Sequence, residues 1–128
     1  MEKIIGIRRE DKNQWERRVP LVPDDVRWLR ETHGIRTLVQ PSPIRAFADD
    51  EYRRAGAELS EDLDRAGTVF AVKEIPAALF REGKTYVFFS HTIKGQAYNM
   101  AMLRTLIERR CSLVDYERVL DEDNRRLI

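Results

Sequence analysis

Three short apolar runs in this chain each empty into ionisable residues. Thr68-Val69-Phe70-Ala71-Val72 ends in Lys73-Glu74, Tyr86-Val87-Phe88-Phe89 runs into SHTIKGQAYNM (Ser90 to Met100), and Ser112-Leu113-Val114 ends in Asp115-Tyr116-Glu117. Runs of that length suit buried strands, here expected at Thr68–Val72, Thr85–Phe89 and Ser112–Asp115. Strand ends are where open α/β sheets collect their chemistry, because groups there face a crevice rather than a packed neighbour. Three such endings in one chain point to a site.

Two further strands are expected, at Lys3 to Arg8 and at Ile35 to Val39, the second stopped by Pro41-Ser42-Pro43. Between them, Arg9 to Arg18 is polar and irregular, and the prolines hold Arg18-Val19-Pro20-Leu21-Val22-Pro23 extended. A helix should start at Pro23, with Asp24 and Asp25 at the positive end of its dipole and Gly34 as its stop. Val26, Leu29 and Trp28 are its expected inner face. Asp49 or Asp50 can cap a helix through Tyr52 that stops at Gly56. A short helix is expected at Glu61 to Ala66, and a longer one at about Tyr98 to Arg110, with Met102, Leu103, Leu106 and Ile107 at helical spacing. The acidic stretch Asp121 to Asn124 reads as a turn. Strands alternating with helices predict an α/β fold: a three-layer, mostly parallel sheet with helices on both faces.

A chain of 128 residues is one domain of ordinary size. Its 42% hydrophobic and 35% charged residues describe a globular chain rather than a disordered one. With a net charge of +1 there is no electrostatic case for nucleic acid or an anionic membrane. No apolar stretch reaches the roughly 18 residues needed to cross a bilayer. The lone Cys111 forms no internal disulfide and reads as a small buried residue after a helix, ahead of a reactive thiol. The N-terminus enters a strand pattern without a signal-peptide core, so the expected location is cytoplasmic, or the mitochondrial matrix if a presequence exists. Arg125-Arg126-Leu127-Ile128 looks like a strand just beginning, which suggests the front part of a longer protein.

Taken together, IGIRREDKNQWERRVPLVP, VQPSPIRAFADDEYRRAGAE, VKEIP, YVFFSHTIKGQAYNM and LVDYE resemble the N-terminal domain shared by alanine dehydrogenase, the transhydrogenase alpha subunit and the saccharopine-forming enzymes. Within that superfamily the match is closest to lysine–ketoglutarate reductase, the first half of the bifunctional aminoadipic semialdehyde synthases. The resemblance implies a Rossmann-like fold without the glycine fingerprint. The glycines, Gly6, Gly34, Gly56, Gly67, Gly83 and Gly95, indeed assemble no G-x-G-x-x-G. It also implies that residues 1–128 are the substrate-side domain of an NAD(P)-dependent oxidoreductase (NADP or NAD as cofactor) acting on a carbon–nitrogen bond. Its substrates would be lysine, 2-oxoglutarate and saccharopine. A second, Rossmann-type domain absent from this chain would bind the dinucleotide, in cis or as a subunit, so the chain is not expected to be catalytic or to bind nucleotide alone. Homo-oligomerisation stays open.

On the same resemblance Lys73 and His91 match acid–base positions, Arg18 a substrate-carboxylate arginine and Lys94 a second lysine near the site. Glu74 and Glu117 match glutamates that modulate the charge of the lysine and histidine. Gln96 and Tyr98 are looser candidates for substrate contact. Read without it, Lys73 is a solvated strand-end lysine, His91 satisfies loop backbone, and the glutamates are surface carboxylates. A guanidinium grips a carboxylate through two parallel hydrogen bonds, and histidine needs little tuning to serve as an acid. Arg17 reads as a solvated charge or a partner for Glu16, and His33 as a helix C-terminal residue without a role. No Cys/His/Asp cluster has metal-ligand spacing. Two other readings stay open: an alanine dehydrogenase- or transhydrogenase-like domain, and a non-catalytic amino-acid- or keto-acid-binding module.

Overall fold

The computed structural model describes residues 2–92 and 95–128, apart from the Tyr98 side chain. Lys94 and the side chain of Tyr98, both singled out above, lie outside the described residues. Six strands form one sheet: β1 (Lys3–Ile7), β2 (Ile35–Val39), β3 (Glu58–Leu59), β4 (Thr68–Phe70), β5 (Thr85–Phe88) and β6 (Ser112–Asp115). They lie in the order β3-β2-β1-β4-β5-β6, and every neighbouring pair is parallel. The chain builds outward from β1 to β3, then returns to the other side of β1 to lay down β4, β5 and β6. Strand order therefore reverses between β1 and β4. Connections leave those two strands in opposite directions, which opens a crevice beyond their carboxyl ends.

Helices α1 (Pro23–His33) and α2 (Asp49–Arg54) cover one face and α3 (Ala97–Glu108) the other. Leu38 and Val39 are neighbours in β2, so their side chains point to opposite faces. Val39 packs with Ile7, with Val26 of α1 and with Tyr52 of α2. Leu38 belongs to the opposite cluster, which holds Val69, Tyr86 and Phe88 against Met102 and Leu106 of α3. Each such side chain contributes roughly 1.5–3 kcal/mol by leaving water, so the two clusters hold the layers together.

Local expectations hold where the signal is strong. Strands 35–39 and 112–115 have the bounds read from sequence, and α1 starts at Pro23 and closes on Gly34, whose φ of 65° is the left-handed helix stop. Other details differ: β1, β4 and β5 stop one or two residues early, at Ile7, Phe70 and Phe88, and the short β3 is not among the expected strands. No helix forms at 61–66, because Asp62 Oδ1 accepts the Asp64 N–H at 2.7 Å and diverts the backbone into a turn. Neither Asp49 nor Asp50 is the cap of α2. Ala48 is, and the Glu51 carboxylate accepts its N–H at 2.7 Å. Trp28 is 56% exposed, its ring edge-on to His33, since Val26 and Leu29 alone supply the narrow inner stripe of α1. Ile107 is likewise exposed, lying one position round from the buried pair Met102 and Leu106. Cys111 is half-buried, and its Sγ donates to the Arg81 carbonyl at 3.1 Å.

Candidate active site

The loops that leave the carboxyl ends of β4, β5 and β6 carry Lys73-Glu74, His91 and Glu117 respectively. Adjacent parallel strands in register, Phe70 beside Val87 and Phe88 beside Asp115, bring those loops to one edge of the sheet. Arg18 reaches the same edge from the long connection between β1 and α1. Arg18, Val72, Phe89 and Tyr116 line one depression of about 450 Å³, so the residues immediately before Lys73, before the Ser90-His91 pair and before Glu117 face a common space.

The charged groups form a continuous line. Lys12 Nζ donates to Glu74 Oε2 at 2.8 Å, Glu74 Oε1 stands 3.9 Å from His91 Nε2, and His91 Nδ1 stands 3.2 Å from Glu117 Oε1. The last contact is an ion-pair distance without hydrogen-bond alignment. The His91 side chain is 27% exposed, open enough to meet a ligand while flanked by acids on both ring nitrogens. Its φ of 56° is the left-handed conformation that a non-glycine residue adopts at a cost. Burial works against the charge on Glu74, but the Lys12 ammonium, the residue's own backbone N–H and His91 outweigh it and hold the carboxyl below its ordinary range.

Arg18 makes a forked pair with Glu16. Its Nε lies 3.0 and 3.1 Å from the two carboxylate oxygens, and Nη2 also donates to Oε1. Glu16 is buried while the Arg18 side chain is 61% exposed, so the other edge of the guanidinium keeps its donors for a ligand. The Arg18 hydrogen bond, offset in part by burial and aided by the nearby Lys73 charge, depresses the Glu16 carboxyl. Lys73 itself is half-buried, and among the described residues its amine has no ion-pair partner. Of the two readings of Arg17, a solvated charge or a partner for Glu16, the structure gives the first: Arg17 is exposed, and its Nε donates to the Ile44 carbonyl at 3.0 Å. Gln96 is exposed ahead of α3.

Two buried acids anchor these groups and escaped sequence reasoning. Glu10 Oε2 accepts the Val72 N–H at 3.1 Å and Oε1 the Lys73 N–H at 2.7 Å. Burial pushes the Glu10 carboxyl up, against those two hydrogen bonds and the Arg8 charge. Asp115 Oδ2 accepts the backbone N–H of Ser90 at 3.2 Å and also its hydroxyl, while Oδ1 accepts the Glu117 N–H at 2.9 Å. One carboxylate thus fixes the residue before His91 and the backbone of Glu117. A signal for Asp115 existed in its place as the last residue of a strand. Glu10, lost in a polar stretch, had none.

Among the described residues no group of His, Cys, Asp and Glu could hold a metal ion. The β1–α1 connection does not suit the pyrophosphate of a dinucleotide. The connection from β1 to α1 contains no glycine, α1 opens with Asp24 and Asp25, and Asp25 Oδ2 already accepts the Val22 N–H at 3.0 Å. Carboxylates stand where a pyrophosphate would need free N–H groups. No described helix is long and apolar enough to cross a membrane.

Residues 6–128 match the family described as alanine dehydrogenase/PNT, N-terminal domain. The mitochondrial alpha-aminoadipic semialdehyde synthase of Rattus norvegicus is 42% identical over 125 residues, covering 98% of this chain and 13% of that protein. The NAD(+), L-lysine-forming saccharopine dehydrogenase of Candida glabrata is 33% identical over 135 residues, covering 99% of this chain and 35% of that one. Among solved structures an L-alanine dehydrogenase superposes with a TM-score of 0.78 at 24% identity, covering 95% of this chain and 34% of that one, a likeness of fold. The chain thus spans about an eighth to a third of the proteins it matches.

Proposed function

This chain belongs to the alanine dehydrogenase/PNT N-terminal domain family, and from that premise we propose that it is the substrate-binding and acid–base domain of an NAD(P)-dependent oxidoreductase acting on a carbon–nitrogen bond. The reaction is the condensation of lysine with 2-oxoglutarate to an imine, which hydride from a nicotinamide cofactor, when bound, would reduce to saccharopine. The names of the semialdehyde synthase and saccharopine dehydrogenase relatives support that choice. One observation carries the acid–base part: His91 is held between Glu74 and Glu117, while Lys73, the chain neighbour of Glu74, has no ion-pair partner among the described residues and lies near enough to Glu16 to lower its carboxyl.

Forming the bond requires the amine nitrogen to attack a keto carbon and lose a proton, after which the new hydroxyl must be protonated to leave as water. Lys73 takes the proton from nitrogen, and His91 gives one to the departing hydroxyl. Glu74 and Glu117 balance the charge on the imidazole as it changes hands. The free edge of the Arg18 guanidinium binds a substrate carboxylate, while Glu16 holds its other edge still. The absence of glycine between β1 and α1 and the acids that open α1 support a reading in which a separate Rossmann-type domain binds the nucleotide.

The test is a reductase assay of the enzyme that contains this chain, offering lysine plus 2-oxoglutarate against pyruvate plus ammonia and following NADPH oxidation. The first pair should be consumed preferentially. Lys73→Met should depress turnover far more than substrate affinity, and near-normal turnover removes Lys73 from the proton-transfer role.

A further inference from the structure

The strand-order reversal between β1 and β4 leaves a gap in the hydrogen-bond ladder, and a side chain fills it. The Arg8 N–H still donates to the Phe70 carbonyl at 2.9 Å, but there the β1 chain turns away. On the other flank the register carries on, with Ala71 N–H to Val87 O at 2.9 Å and Phe89 N–H to Val72 O at 3.0 Å. The next N–H groups on the β1 side, those of Val72 and Lys73, are taken by Glu10, whose 8% exposure puts the carboxylate out of reach of bulk solvent. A buried carboxylate so placed acts as a surrogate strand. It satisfies both donors with one group and sets where the chain bends out of the sheet at Lys73.

We propose that Glu10 is a positioning residue for the reaction: it touches no substrate, and by gripping the Val72 and Lys73 amides it aims the Lys73 amine into the space bounded by Glu16, Arg18 and Glu74. The inference rests on the reading of Lys73 as a proton carrier. Its chemical basis is acceptor geometry. Two N–H groups converge on two oxygens, and an amide in place of the carboxylate would turn an NH₂ toward one of them. Arg8 and Arg18 lie close enough to favour charge on Glu10, while burial and Glu16 oppose it.

The experiment is a double-mutant cycle in the enzyme that contains this chain. Glu10→Gln should lower kcat by roughly 10- to 100-fold, the scale of a misplacement of about 1 Å, with KM within about twofold. In a Lys73→Met background the same change should cost nothing further, because its effect passes through Lys73. A merely structural Glu10 would slow both backgrounds alike, and that additivity, or a Glu10→Gln variant of normal kcat, overturns the proposal while leaving the role of Lys73 intact. Normal turnover in Lys73→Met alone overturns both. Should Glu10→Gln fail to fold, the wild-type chain still decides: a through-hydrogen-bond coupling in NMR between the Lys73 amide nitrogen and the Glu10 carboxyl carbon is expected, and its absence overturns the proposal.

Discussion

Glu117 Oε1 stands 3.2 Å from His91 Nδ1, and the two residues are held at that separation by a single carboxylate that belongs to neither. Asp115 binds the Ser90 backbone N–H and hydroxyl through one oxygen and the Glu117 N–H through the other. Replacing it by alanine strands the two backbone donors, while the Ser90 hydroxyl still has Thr92 Oγ1 at 3.0 Å; each stranded donor costs about 1–3 kcal/mol. Asp115→Ala should therefore lower unfolding stability by about 2 kcal/mol or more in urea titration, and a loss under about 1 kcal/mol would show that the anchor is dispensable.

Arg18→Lys keeps the charge but loses the fork that meets Glu16 along one edge and leaves the other free. An ammonium cannot make two parallel bonds to a carboxylate. In steady-state assays of the enzyme carrying this chain, KM for the carboxylate substrate should rise about tenfold or more with kcat changed much less. An unchanged KM would take Arg18 out of substrate binding.

Acid should weaken the Glu16–Arg18 pair in a defined direction. The Arg18 hydrogen bond holds the Glu16 carboxyl below its ordinary value of 4.5, so its stabilising effect is complete above that pH and fades as pH falls through the depressed folded-state value. The stability difference between the natural chain and Glu16→Gln should thus be present at neutral pH and shrink well below pH 4.5. Glu10 runs the opposite way, since burial raises its carboxyl: its contribution is most favourable below 4.5 and declines as pH rises through the raised value. Urea titrations of each variant across the acid range separate the two, and a gap for Glu16→Gln that widens on acidification contradicts the assignment.

The 128-residue chain by itself should not bind NADPH in a fluorescence titration. Asp24 and Asp25 at the start of α1 would repel the phosphates that a dinucleotide must place there. Micromolar affinity would overturn the assignment of the nucleotide to another domain.

Gly56 has a φ of 99°, and a Cβ there would lie 2.6 Å from the Arg30 guanidinium carbon, whereas at Gly34, with φ of 65°, it would meet nothing within 4 Å. Both substitutions to alanine carry left-handed strain of about 1–2 kcal/mol, and only the first must also displace Arg30. Thermal unfolding should rank Gly56→Ala below Gly34→Ala; the reverse order would mean that the Arg30 side chain moves aside freely.

The sequence by itself determined what repeats over a few residues. Apolar runs named β2 and β6 to the residue, Pro23 and Gly34 bounded α1, and the charged endings of the later strands marked the edge where the candidate groups lie. Those features depend on side-chain spacing and backbone stiffness, which neighbours along the chain settle between them. Where a local polar contact competes, as Asp62 does with the helix expected at 61–66, the pattern misleads. Only the tertiary structure decided that Glu16 pairs with Arg18 rather than Arg17, that Glu10 serves amides more than sixty residues away, and that Asp115 ties Ser90 to Glu117. The physical reason is that a buried N–H must find an acceptor, and which one it finds depends on where distant strands stop and part company, a property of the assembled sheet that no short window contains.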